Sequence, residues 1–193
     1  MNSTEQGRAK RPTVSQRLAS GELDERRALE LTREAALRTL DCAAKSRSDL
    51  TAGLVRRGYP EQLVEAVLDR LTEVGLIDDG AYAQALVRAG QAERGLSKLA
   101  LSRELTRRGI SPDAAAQALK QVNADTEEAA MQAVIAKSLR RTIGLDKQTR
   151  LRRTVSALSR KGYQPGQGYA AVLGALADQA DDDFSDSLRY EYA

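Results

Sequence analysis

The chain has no histidine, no tryptophan and only one phenylalanine. Without histidine there can be no Ser-His-Asp or Cys-His nucleophile pair, and most zinc sites lose their usual ligand. A single cysteine, Cys42, excludes an internal disulfide. No apolar run approaches the roughly 18 residues of a membrane-spanning helix. The opening "MNSTEQGRAKRP" has basic residues with no apolar segment behind them. A secretory signal is therefore not expected, and the protein is read as cytoplasmic. Proline is scarce, with four residues, and no alternating run of β-branched side chains reads as a strand. The glycine-rich "GYQPGQGY", from Gly162 to Tyr169, lacks the Lys-Ser/Thr of a phosphate-binding loop. The adjacent acids Asp78-Asp79 and Glu127-Glu128 do not face one another on a helix. Near helix starts such acids complement the helix dipole. No catalytic group, metal or cofactor is expected.

What remains is rich in Ala, Leu, Arg, Glu and Gln, the residues that favour helices. The fold class is read as all-α. Charge is unevenly placed. Between residues 137 and 161 stand nine basic residues against Asp146 alone, a local charge of +8. Residues 178–193 carry six acidic residues and Arg189. Concentrated positive charge repels itself unless an anionic partner lies nearby, which points to nucleic acid or an acidic protein groove.

One six-letter phrase recurs: "LVRRGY" at Leu54–Tyr59, "LTRRGI" at Leu105–Ile110 and "LSRKGY" at Leu158–Tyr163. Its glycines, Gly58, Gly109 and Gly162, are 51 and 53 residues apart, a helical-repeat spacing. The Leu faces a core, the basic pair meets the negative end of the helix dipole, and Gly takes the left-handed position after the helix. Helix capping alone accounts for the phrase and requires no ligand. A new helix follows each time, with Pro60, Pro112 or Pro165 at its start. Its stripe is Val64, Val67, Leu68 and Leu71, then Ala115, Ala118, Leu119 and Val122. In the third copy it is read as Tyr169, Val172, Leu173 and Leu176, one residue later. A further amphipathic helix precedes each phrase, near 34–44, 80–92 and 126–140.

The reading is three tandem three-helix, helix-turn-helix-like repeats: 33–78, 79–125 and a basic 126–178. Units this small are expected to stack, giving an elongated, curved array. Residues 1–32 are expected to be a mostly disordered extension and 179–193 an acidic tail.

In the middle repeat the order "LIDDGAYAQALVRAGQAERGLSKLALSRELTRRGIS" resembles the RecX family of bacterial regulatory proteins. The pieces are Leu76-Ile77-Asp78-Asp79, Tyr82-Ala83, Gly95, and Leu105 with Arg108-Gly109-Ile110; Arg57-Gly58-Tyr59 ends the first repeat in the same manner. The third repeat departs from the family pattern in its glycine-rich turn. The resemblance implies a monomeric, non-enzymatic regulator of the RecA recombinase, active in homologous recombination, DNA repair and the SOS response. It would lie in the RecA–single-stranded-DNA filament and inhibit ATP hydrolysis, strand exchange and co-protease activity. The expected contacts to RecA or DNA are Arg140, Arg141, Lys147, Arg150, Arg152, Arg153, Arg160 and Lys161. Arg56, Arg57, Arg107 and Arg108 are secondary candidates. The alternative is a sequence-specific helix-turn-helix regulator. Its recognition helices would begin Pro60-Glu61-Gln62, Pro112-Asp113-Ala114 and Pro165-Gly166-Gln167, which are poor readers of base edges.

Overall fold

Short local signals start and stop each helix. In the computed structural model, residues 11–191 are described, with side chains for residues 11–179. Ten helices and no strand occur among them. None is long and apolar enough to cross a membrane.

The first unit runs to Tyr82. Helix α1 (Val14–Ala19) opens on a capping box, Thr13 accepting from the Gln16 amide while the Gln16 side chain accepts from the Thr13 amide. Helix α2 (Glu25–Cys42) is capped by Asp24, and α3 (Arg47–Arg56) by Ser46. Helix α4 (Glu61–Glu73) follows Pro60. The core joins Ala35 and Ala36 of α2, Leu50 and Leu54 of α3, and the predicted stripe Val64, Val67, Leu68 and Leu71 of α4.

Disorder through residue 32 is not what the chain does over 13–32. Val14 and Leu18 of α1 pack with Leu31 against buried Leu23, Ala28 and Leu63. The short helix earns its order from this docking, since an isolated helix of six residues is unstable. Residues 1–10 lie outside the described part.

The second unit starts at Ala83, inside α5 (Asp79–Ala92). Helices α6 (Lys98–Arg107) and α7 (Pro112–Leu119) pack together, burying Leu101, Leu105, Ile110, Ala118 and Val122. Helices α8 (Ala124–Arg140), α9 (Lys147–Arg160) and α10 (Pro165–Glu191) enclose Met131, Ile135, Leu139, Leu158, Tyr163, Val172 and Leu176. The acidic side chains of the expected tail, residues 179–193, fall outside the described side chains.

The third stripe keeps the register of the other two. Val172 and Leu176 are buried with Ala171 and Ala175 against them, whereas Tyr169 and Leu173 lie 49% and 37% exposed. Measured from Gly162, the inward residues Gly168, Ala171, Val172 and Ala175 match Val64, Val67, Leu68 and Leu71 measured from Gly58. No residue is inserted. Gly168 takes the first inward place because Leu158 fills the space, its Cδ1 only 3.2 Å from where a Cβ would stand.

Tyr163 ends the third phrase inside this core, and its hydroxyl finds no hydrogen-bond partner. Burial, followed by the charges of Glu127 and Glu128, pushes its phenol up to about 12. The neutral phenol is therefore favoured in the folded state. The stability it brings is complete below pH 10 and is lost as pH rises from 10 towards 12. Tyr163→Phe should be neutral or up to about 1 kcal/mol stabilising at pH 7, since it removes an unpaired buried hydroxyl. In chemical denaturation its stability should fall less steeply than the parent's across that alkaline window.

Candidate functional site: a basic groove beside the third turn

All three recurring phrases form the same turn. Gly58, Gly109 and Gly162 have φ of 87°, 69° and 89°. The residue after each glycine donates its N–H to the Leu carbonyl at the head of the phrase, at 3.2, 3.1 and 3.2 Å. The glycine N–H donates to the next carbonyl along, at 2.8, 2.9 and 3.0 Å.

Two of these turns are joints between helices. At the first, Ser15 donates both its amide N–H and its hydroxyl to the Gly58 carbonyl at 2.9 Å, docking the start of α1. At the third, the Ser97 amide donates to the Lys161 carbonyl at 3.0 Å, docking the start of α6. A Cβ on Gly162 would stand 2.6 Å from Ser97 Oγ and 2.7 Å from Ala100 Cβ. Three of the four acids read as complementing helix dipoles also cap helices. Asp78 accepts from the Ala81 amide on its own helix. Asp79 accepts from the Arg47 amide, the first N–H of α3, at 2.8 Å. Glu127 accepts from the Lys98 amide, the first N–H of α6, at 2.7 Å.

The third joint brings the end of α5, helix α8 and helix α9 together around a groove of about 1300 Å³. Arg88 and Arg94 come from the α5 end, Lys137, Arg140 and Arg141 from α8, and Arg152, Arg153, Arg160 and Lys161 from α9 and its cap. Glu93 is the one acid on its wall. Ala129, Ala130, Ala133 and Ala157 line it too, small side chains that let a ligand approach the helices closely. Among the described residues, Arg88, Lys137, Arg140, Arg141, Arg152 and Arg153 take part in no ion pair; Arg94 pairs with Glu104 at 2.9 Å. The Lys161 ammonium donates to the Arg94 carbonyl. Its pKa lies below the ordinary lysine value, first because of burial and then because Lys137, Arg94 and Arg160 crowd it with like charge. An anion in the groove would relieve that crowding.

Six residues expected from the sequence therefore meet here: Arg140, Arg141, Arg152, Arg153, Arg160 and Lys161. Lys147 and Arg150 are not on the wall. Arg150 instead donates to Gln179 Oε1 at 2.7 Å, tying α9 to α10. Arg57 lies over the Tyr59 ring, 5.7 Å from its centroid, and reaches the Ala35 carbonyl and Thr39 hydroxyl at 3.4 and 3.3 Å. Arg107 and Arg108 lie 3.5 and 3.8 Å from the largely buried Glu104 carboxylate. Arg56 is exposed on α3 and is not part of this groove. Arg88 and Arg94 were not foreseen, because they belong to a different repeat in the sequence. No cluster of three or more potential metal ligands occurs among the described residues.

Two family models match the chain, that of the first RecX three-helix domain over residues 33–71 and that of the second over residues 78–119. A protein of Streptomyces coelicolor named Regulatory protein RecX is 39% identical over 170 residues, covering 88% of this chain and 90% of its own length. The chain belongs to the RecX family. Proteins with the same name from Mycobacterium avium and Thermobifida fusca are 40% and 39% identical, covering 77% and 72% of the chain and 86% and 76% of their own lengths. Two solved RecX structures share the fold. A crystal structure of regulatory protein RecX has a TM-score of 0.65 at 22% identity, covering 89% of this chain and 92% of its own. RecX from Lactobacillus salivarius has a TM-score of 0.62 at 18% identity, covering 78% and 97%. Membership therefore rests on sequence, and the all-helical architecture of three-helix domains is common to these RecX proteins.

Proposed function

We propose that this RecX-family chain is a non-enzymatic regulator of the RecA recombinase that binds the RecA–single-stranded-DNA filament and restrains its ATPase, strand exchange and co-protease activity. The groove between α5, α8 and α9 supports this reading most strongly. Nine basic residues and one acid line it, and among the described residues eight of the cations have no ion-pair partner, Arg94 alone being paired, with Glu104. A surface of that kind suits a polyanion that is long and regularly charged, and the DNA of a filament is both. Arg140, Arg141, Arg152 and Arg153 would meet phosphates. Arg160, Lys161 and Arg94, held near the third joint, would fix the register. The helix-turn-helix alternative loses ground here, since α4, α7 and α10 contribute no residue to the groove.

The direct test is to titrate the protein into RecA hydrolysing ATP on single-stranded DNA. The rate should fall at protein levels well below those of RecA, because one bound molecule affects several filament subunits. An unchanged rate at molar excess would refute the proposed action on RecA.

A further inference from the structure

The most exposed large apolar residue in the described chain is Ile143, at 75%. It stands at the tip of the α8–α9 turn, two residues after Arg141 on the groove wall. Leu145, 39% exposed, follows it. The turn is firmly anchored. Thr142 is buried and its hydroxyl lies 3.1 Å from both the Ser138 and Leu139 carbonyls. The Leu145 amide donates to the Thr142 carbonyl at 3.1 Å, and Asp146 caps α9 by accepting from Thr149 at 2.9 Å. Gly144 supplies the left-handed step, with φ of 85°. Ile143 is thus held out to solvent by a fixed turn, where the hydrophobic effect opposes leaving it.

We propose that Ile143 is a wedge that enters between neighbouring bases of single-stranded DNA while the groove cations hold the flanking phosphates. This rests on the reading that the groove binds filament DNA. The favoured occupant follows from charge. Arg140 and Arg141 precede the tip, and Arg152 and Arg153 line the same groove, so the occupant must offer apolar faces between closely spaced anions. Nucleic acid does so at every nucleotide, and aliphatic side chains can part base steps. The groove wall has no aromatic residue on which bases could stack. Ile143 is not among the wall residues but stands on the turn that follows Arg141, so the wedge would reach the bases from the groove's edge.

The test uses the full chain and a single-stranded oligonucleotide carrying 2-aminopurine, whose emission rises when it unstacks. Binding should raise the emission, as a parted base step requires. Ile143→Ala should remove most of that rise and weaken binding by about tenfold or less, within the range for one lost base contact. Ile143→Met should restore both. Thermal unfolding of both variants should match the parent, because the side chain is mostly solvated. A rise that persists in Ile143→Ala would overturn the wedge. So would parent binding without a rise. If Ile143→Ala keeps the rise on DNA but loses inhibition of RecA, the tip enters a protein pocket and the wedge is again wrong. No binding of the parent to the oligonucleotide would defeat the DNA reading of the groove and the wedge together.

Discussion

Changing Arg140, Arg141, Arg152 and Arg153 together to glutamate should lower affinity for single-stranded DNA by about a hundredfold or more at moderate salt. None of the four is in an ion pair among the described residues, so their loss removes no internal contact of that kind. Relief of mutual repulsion should leave the melting temperature unchanged or slightly higher. For the parent, the logarithm of affinity should fall with the logarithm of salt at a slope near −3, since roughly four phosphate contacts contribute about −0.7 each. The variant should lose most of that slope. Arg56→Glu, which is not on the groove wall, should change affinity by no more than about threefold, as a single exposed charge off the binding surface does when salt screens it. Equal losses in the two variants would mean that net charge rather than the groove governs binding. A parent slope near zero would exclude phosphate contact altogether.

Gly162→Ala should destabilise the second unit by about 3 kcal/mol or more. Two costs combine there. A left-handed backbone costs an L-residue about 1–2 kcal/mol. The new methyl would also press on Ser97 Oγ at 2.6 Å and Ala100 Cβ at 2.7 Å, at the docked start of α6. Gly144 separates the two effects. Its φ of 85° is nearly the same as the 89° of Gly162, but nothing lies within 4 Å of its would-be Cβ. Gly144→Ala should therefore cost only the backbone term, about 1–2 kcal/mol. The difference between the variants, read by thermal or urea unfolding, is the energy of close packing at the joint. Gly162→Ala should also weaken DNA binding, because the joint places Lys161 and Arg160 beside Arg94. Equal destabilisation by the two variants would show that the joint yields without cost.

The turns were legible because their causes are local. A Leu, a basic pair, a glycine and an apolar residue within six positions define a helix end wherever the chain goes. The stripes of the first two repeats were legible for the same reason, since helical periodicity needs only sequence. The third stripe misled because Gly168 presents no side chain to mark an inward position, while Tyr169 and Leu173 look apolar and face water. Helix α1 was hidden because six residues are too few to show a helical period, and its order comes from Leu31, Leu63 and the Gly58 turn.

The basic stretch of 137–161 was plain in the sequence, but its division into groove and scaffold was not. Sequence by itself determined the all-helical class, the repeated turn and the presence of unbalanced positive charge, because propensity, capping and composition act over a few residues. Tertiary structure alone brought Arg88 and Arg94 to the groove, left Lys147 and Arg150 off its wall, and made two turns into joints. Those outcomes depend on which helix faces meet, and packing between distant segments sets that.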